Sequence, residues 1–465
     1  MNQVLLIACY ELGHQPLSLA WPAAFLREDG QQVTTCDLAV ETLDEAAVRA
    51  ADFVGIAVPM HTAMRLGVQA AREVRALNPE AHICFYGLYA WLNADYLLQA
   101  ENGQRALADS VIAGEYEAPL RELVRTVAQG GSALDVGGVS TAAGRNGTYL
   151  ERLSFPLPDR RGLPSLDQYA RYMYDGRAVA AGYVEASRGC LHTCQHCPVV
   201  PVYGGRFFVM PLETVLADIR QQVAQGARHI TFGDPDFLNG PGHAMKVARA
   251  LHKEFPGLTF DFTTKVEHIL ERRSLFGELR EMGARFVVSA FEATSEDILR
   301  RLQKGHTVED METALAILDE AGLHVQPTWL PFTPWTTLDD YLHMLQWIRE
   351  QELIQHVPAV QLSIRLLVPP NSALLDHADA HEWVGELDRE NFTYRWQHPD
   401  PCMDELQQRV ARLAEAAGEG SSSPYRVFAE VERLAYGMAG KPAPQWQAPL
   451  TPDLPPPRLT EDWFC

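Results

Sequence analysis

Nowhere does the chain string together the roughly 18 apolar residues that a membrane-spanning helix needs. Its first residues, MNQVLLIACYELGHQP, carry neither a basic segment nor the long apolar core of an export signal. The expectation is a soluble, cytoplasmic protein with no membrane partner. Positive charge is also scarce: 39 Lys and Arg stand against 60 Asp and Glu, a formal net charge of −21. A protein that tracks phosphates shows a basic field, so this balance argues against nucleic acid as a substrate. Cysteine is thin as well, eight residues in 465, which argues against a disulfide framework in a reducing compartment. Stability must come from hydrophobic cores, and 465 residues suffice for two or three.

What is present is an alternation of strand and helix signals. In the first 130 residues, short apolar runs at 4–8, 33–36, 53–58, 81–87 and 109–115 are separated by helical patterns at 16–27 and 62–77, where Leu66, Ala70, Val74 and Leu77 share one face. This rhythm predicts a doubly wound parallel sheet of Rossmann-like, flavodoxin-like order, with its ligand crevice at the carboxyl ends of the strands. Cys9, Cys36 and Cys84 fall in its apolar runs and read as buried small hydrophobes. Residues 131–179 loosen into a Gly-, Pro- and Arg-containing linker.

A second alternating series follows over 180–376, with strands expected at 182–186, 229–232, 259–264, 285–291, 324–330 and 360–367. Six strands alternating with helices suit a partial (β/α)6 barrel. One of the helices opens with the capping box TVED at Thr307. Residues 377–440 read as a helical extension, and 441–465 as a Pro-rich tail that runs extended over the surface.

The clustered cysteines lie at the start of the second series, in SRGCLHTCQHCPVV: Cys190, Cys194 and Cys197. Three thiolates are one short of a structural zinc site, which wants four ligands. His192 and His196 sit awkwardly inside the loop, and Cys402 is far away in sequence. A cubic 4Fe-4S cluster accepts three thiolates and keeps one iron open. At the head of a barrel, that iron would face the mouth where active sites gather.

C-x3-C-x2-C after a strand closely resembles the signature of the radical S-adenosylmethionine (radical SAM) enzymes. The resemblance implies a partial β/α barrel, a 4Fe-4S cluster on Cys190, Cys194 and Cys197, and S-adenosylmethionine cleaved to a 5′-deoxyadenosyl radical with electrons from a reductant such as flavodoxin or ferredoxin. The residue before the third cysteine, usually aromatic and near the adenine, is His196. ITFGDPDF resembles the motif that holds the cofactor's amino group, which maps that role to Gly233 and Asp234; a carboxylate facing an ammonium is the physical requirement. VVSAFEATSEDILRRLQKGHT resembles the fourth-strand run that reaches the ribose, with Glu292 the match and Ser289 nearby. In the same run, Lys304 reads as a solvated charge at a helix end. LPFTPWTTLDDY and RLLVPPNSALLD resemble the family's later segments.

The first 130 residues resemble the cobalamin (B12)-binding domain that precedes the barrel in one radical SAM subgroup, most clearly in DSVIAGEYEAPLRELV, with its GE-x-E turn at Gly114, Glu115 and Glu117. The D-x-H-x-x-G motif that supplies a histidine to cobalt is missing, and His14 in CYELGHQP stands out of register. The ending LTEDWFC resembles radical SAM proteins whose chains finish in CUAEP or CCAEP, U being selenocysteine. Cys465 matches the first C and would be a redox or soft-metal group. We expect the gene to continue past it through a selenocysteine codon.

Together these resemblances imply a cobalamin-linked radical SAM enzyme that modifies, by the subgroup's precedent methylates, a small-molecule or carrier-bound substrate. Two alternatives stand beside it: a cobalamin-independent enzyme transferring a SAM-derived group to a soft acceptor such as arsenic, and a non-catalytic metal- or selenium-handling protein.

Overall fold

The computed structural model describes residues 3–100, 105–418, 423–448 and 454–461; the expected redox tail at Cys465 lies outside them. The strands in chain order are β1 (Gln3–Ala8), β2 (Gln32–Asp37), β3 (Phe53–Ala57), β4 (His82–Tyr86), β5 (Ser110–Ile112), β6 (Val139–Ser140), β7 (Arg171–Tyr174), β8 (Arg177–Val184), β9 (Ser187–Gly189), β10 (Phe207–Val209), β11 (His229–Phe232), β12 (Thr259–Thr263), β13 (Ala284–Glu292), β14 (His324–Trp329), β15 (Val384–Asp388), β16 (Thr393–Trp396) and β17 (Arg458–Leu459).

The N-terminal sheet runs β2-β1-β3-β4-β5-β6, parallel except at β6. Its inner strand β3 is buried at every position, because helices cover both faces, which is why such strands read as unbroken apolar runs. Leu19, Ala23 and Leu26 of helix Leu17–Glu28 pack on one face with Leu120, Leu123 and Val124. Met64, Val68, Ala71 and Val74 of helix His61–Leu77 cover the other. This is the expected flavodoxin-like order, so the carboxyl ends of β1, β3 and β4 form the crevice.

The linker is not loose throughout. Arg160 is buried in it and donates to both carboxylate oxygens of Asp218 (2.7 and 2.8 Å), to Gln15 Oε1 (2.7 Å) and to the Tyr183 carbonyl (2.7 Å). One guanidinium thus ties the N-terminal unit to the barrel. The linker's last residues form the hairpin β7–β8.

The second sheet is barrel-like, in the order β14-β13-β12-β11-β8-β7-β17, with β8, β11, β12, β13 and β14 parallel. The expected sixth strand over 360–367 does not form. Residues Ala359–Leu362 make a 3-10 turn, and Arg365 makes only a single parallel bridge with Phe332. The physical reason is a contact between separate segments: Trp329 N, on the outer edge of β14, donates to the side chain of Gln361 (2.8 Å) rather than to a strand carbonyl. The helix Val308–Glu320 does open with the capping box, Thr307 and Asp310 each bonding the other's backbone.

The extension, expected as helical, also contains the antiparallel pair β15–β16 before helices Pro401–Gly418 and Pro424–Met438. In the tail, β17 adds an antiparallel edge strand to β7. No helix among the described residues is long and apolar enough to cross a membrane.

Candidate active site at the barrel mouth

β9 delivers the chain to Cys190 through Gly189, at φ 73°, where a Cβ would stand 2.3 Å from the Arg206 carbonyl. Only glycine fits that turn. The loop beyond is held from outside: Gln195 N donates to Leu302 O (3.0 Å) and Leu191 N to Asn239 Oδ1 (3.3 Å), while Cys197 N closes a turn on Cys194 O (3.1 Å). Cys190 Sγ lies 3.8 Å from the same Asn239 oxygen. Burial pushes the Cys197 thiol up to about 12 and raises that of Cys190. Thiols so placed give up their protons only to a cation, and three soft donors on one loop fit a 4Fe-4S cluster with one open iron. The two histidines of the loop do not complete a zinc tetrahedron: His196 Nε2 meets Glu292 Oε1 at 3.2 Å, and His192 faces Asp236. Cys9, Cys36 and Cys84 are buried in the N-terminal sheet as expected.

Glu292 ends β13 beyond a register shift at Ala290 and takes up φ 67°, uncommon for a side chain other than glycine. The bulge turns its carboxylate onto two partners, His196 and Lys304 Nζ (3.1 Å). Burial alone would raise the Glu292 carboxyl, but Lys304 and His196 outweigh it and hold it well below the usual carboxylate range. Lys304 is therefore not the solvated helix-end charge expected of it: it is 3 % exposed. The sequence held one signal for it, the glycine that follows, which at φ 76° turns the chain back after the helix.

Gly233 and Asp234 follow β11. A Cβ on Gly233 would stand 2.2 Å from the Tyr183 hydroxyl. Asp234 accepts from Ala186 N (2.9 Å) and Ser187 Oγ (2.5 Å), and burial pushes its carboxyl up to about 7. Its visible work is to fix the crossing from β8 into the cysteine loop. Several buried polar atoms around the mouth have no protein partner: Ser289 Oγ, Asn239 Nδ2, Thr294 Oγ1 and His196 Nδ1. Buried polar groups are seldom left so, and this ring of unused donors and acceptors suits a polar cofactor such as S-adenosylmethionine.

The N-terminal crevice faces the same loop. Leu88 and Trp91, just past β4, pack on Val199, Val202 and Tyr203, which follow the cysteine loop, and Cys190 and Cys197 pack on the same three side chains. Half-buried Tyr10, Met60, Leu88 and Trp91 line the carboxyl ends of β1, β3 and β4, an apolar rim that fits a large flat macrocycle. The GE-x-E turn lies behind it. Arg188, next to the cysteine loop, reaches Glu117 (2.6 Å), Glu185 (2.7 Å) and Glu115 (3.4 Å), while Tyr203 donates to Glu115 (2.8 Å). His14 is buried with its ring stacked 4.3 Å from that of Tyr183.

Comparison with known proteins agrees with this geometry. Residues 3–124 match the B12 binding domain and residues 184–348 the radical SAM superfamily. The chain is 26% identical over 327 residues to a hopanoid C-3 methylase of Methylococcus capsulatus, covering 68% of this chain and 62% of that protein. It is 24% identical over 324 residues to an uncharacterized methyltransferase of Pyrococcus horikoshii, covering 66% of this chain and 67% of that protein. Among solved structures, it superposes with a TM-score of 0.69 and 14% identity on the cobalamin-dependent radical enzyme OxsB with aqua-cobalamin and S-adenosylmethionine bound, over 93% of this chain and 72% of that one. The methyltransferase TsrM of Kitasatospora setae matches with a TM-score of 0.66 and 15% identity, over 94% and 95%.

Proposed function

We propose that this chain, which carries a B12 binding domain ahead of a radical SAM domain, is a cobalamin-dependent radical SAM methyltransferase acting on a small molecule. The observation that carries the reading is the packing of Leu88 and Trp91 on Val199, Val202 and Tyr203, the side chains against which Cys190 and Cys197 also pack, which sets the crevice of one domain against the mouth of the other. Cobalamin bound at that rim would lie beside a cluster bound by Cys190, Cys194 and Cys197. The names of the relatives, a methylase and a methyltransferase, support methylation as the outcome.

In this reading the cluster supplies the electron that cleaves S-adenosylmethionine and cobalamin supplies the methyl carrier. The protein's own residues position and protect. Glu292, with Ser289, orients the ribose; Lys304 holds Glu292 ionised and in place; His196 lies by the adenine. Gly233 leaves the strand end without a side chain, and Asp234 locks the entry to the loop. Leu88, Trp91 and Met60 exclude water from the gap between the domains, where a radical would otherwise be quenched. A flavodoxin or ferredoxin delivers the electron.

Anaerobic reconstitution with iron, sulfide and hydroxocobalamin tests the reading. After gel filtration the protein is expected to retain about four irons and about one cobalamin per chain, the latter lost on Trp91→Glu. A chain that keeps its cluster but no cobalamin would instead support the transfer of a SAM-derived group to a soft acceptor.

A further inference from the structure

Beside the cysteine loop, three side chains from three segments converge on one point. His192 comes from the loop between Cys190 and Cys194, Asp236 from the turn after β11, and His268 from helix Val266–Glu271 after β12. Their ligand atoms all lie within 4.8 Å of one another. His268 Nδ1 is 2.8 Å from Asp236 Oδ2, and His192 Nε2 is 3.8 Å from the same oxygen. Two donors of a tetrahedral zinc ion, each at about 2.0–2.1 Å, stand roughly 3.3 Å apart, and the observed separations bracket that value.

The outer contacts orient the three side chains. Asp236 Oδ1 accepts from Thr264 Oγ1 (2.8 Å) and Leu238 N (3.0 Å), which orients Oδ2 toward the histidines. His192 Nδ1 faces Glu267 Oε2 at 3.5 Å and Lys265 Nζ at 3.1 Å. Lys265 Nζ donates to Nδ1 as the site stands, and ion binding at Nε2 requires that ammonium to turn fully onto Glu267 Oε2, 3.2 Å away, leaving Nδ1 to carry the proton. His192 Nε2 has no hydrogen-bond partner in the protein, while His268 Nδ1, on a side chain only 7 % exposed, is paired with Asp236 Oδ2. The ion pair of His268 with Asp236 leaves His192 Nε2 unused.

We propose that His192 Nε2, Asp236 Oδ2 and His268 Nδ1 form a second metal site, distinct from the cluster, for a divalent first-row ion of the zinc class. Two histidines and one carboxylate leave coordination positions open. Given the reading of the barrel mouth as the substrate site, an open position there holds an oxygen donor of the substrate, a hydroxyl or a carboxylate. Binding of the ion itself does not depend on that reading.

The test uses the iron- and sulfide-reconstituted holoprotein, dialysed against zinc buffered by a competing chelator, with iron, cobalt and zinc counted per chain and the zinc X-ray absorption edge recorded. About one zinc per chain is expected, in a shell of nitrogen and oxygen without sulfur. His268→Ala is expected to weaken zinc binding by more than about 100-fold. Glu267→Gln, which touches only the outer contact, should weaken it by about 10–100-fold. Iron and cobalamin content should stay at the wild-type level in both, which separates loss of the site from loss of the fold. Sulfur in the zinc shell, zinc retained by His268→Ala, or no zinc bound at about micromolar free concentration would each overturn the proposal. Loss of cobalamin or of S-adenosylmethionine cleavage with zinc retained would instead count against the functional reading.

Discussion

Glu292 Oε1 accepts from Lys304 Nζ over 3.1 Å, twelve residues along the chain, with both side chains buried. Removing one member of a buried pair leaves the other charge uncompensated, at a cost of about 3–5 kcal/mol. Lys304→Met is therefore expected to lower the unfolding free energy by that amount. The double variant Glu292→Gln/Lys304→Met should cost less than the two single changes summed. Chemical denaturation of the four proteins measures the coupling; simple additivity would mean the pair is not an energetic unit.

Arg188 is ringed by Glu117, Glu185 and Glu115 and lies over the rings of Phe155 and Tyr116 at 5.0 and 5.3 Å. Three carboxylates around one guanidinium leave a surplus of negative charge, and burial pushes the Glu117 carboxyl up. Arg188→Met should destabilise by about 3–5 kcal/mol and loosen the N-terminal unit from the barrel. Limited proteolysis within the linker 131–179 reads the second effect, and cutting no faster than wild type would show that the ring does not join the two units.

Glu11 caps the helix Leu17–Glu28, accepting from Leu17 N (3.1 Å) and Ser18 Oγ (2.6 Å). Burial pushes its carboxyl up to about 8, against about 4.3 in an unfolded chain. Between those values the folded protein holds the extra proton, so its contribution to stability is complete below the unfolded value and is lost as pH rises through about 8. The slope from this one group is about 1.4 kcal/mol per pH unit. Glu11→Gln should flatten the stability profile between about pH 5 and pH 8; an unchanged slope would place the titration elsewhere.

Replacing any one of Cys190, Cys194 and Cys197 by alanine should abolish the cluster's visible absorption and bring bound iron well below about four per chain. Cys402→Ala, in the helix Pro401–Gly418, should leave both unchanged. Iron analysis of the four reconstituted variants separates the loop from the isolated cysteine.

Much of this was legible in the sequence because it rests on local rules. The strand runs at 53–58 and 229–232, the capping box at Thr307 and the spacing of the three cysteines each depend on residues within a few positions of one another. What failed depends on distant partners. Residues 360–367 have strand-like composition, but the Gln361 side chain takes the Trp329 amide that a sixth strand would have paired. Lys304 looks like an ordinary helix-end charge until β13 brings Glu292 beneath it. Glu115 and Glu117 were legible as a motif, but not as partners of Arg188, some 70 residues later. His192, Asp236 and His268 belong to three separate segments, and only the barrel gathers them.

The central claim is that the cysteine loop and the N-terminal crevice form one cobalamin-dependent radical centre. The most direct measurement is 5′-deoxyadenosine and S-adenosylhomocysteine formed from S-adenosylmethionine by the reduced, reconstituted protein, with and without cobalamin. Formation of both products, with S-adenosylhomocysteine requiring cobalamin and both lost on Cys194→Ala, is the expected result. Deoxyadenosine formed equally well without cobalamin and with no S-adenosylhomocysteine, or neither product from a protein with its cluster intact, would contradict it.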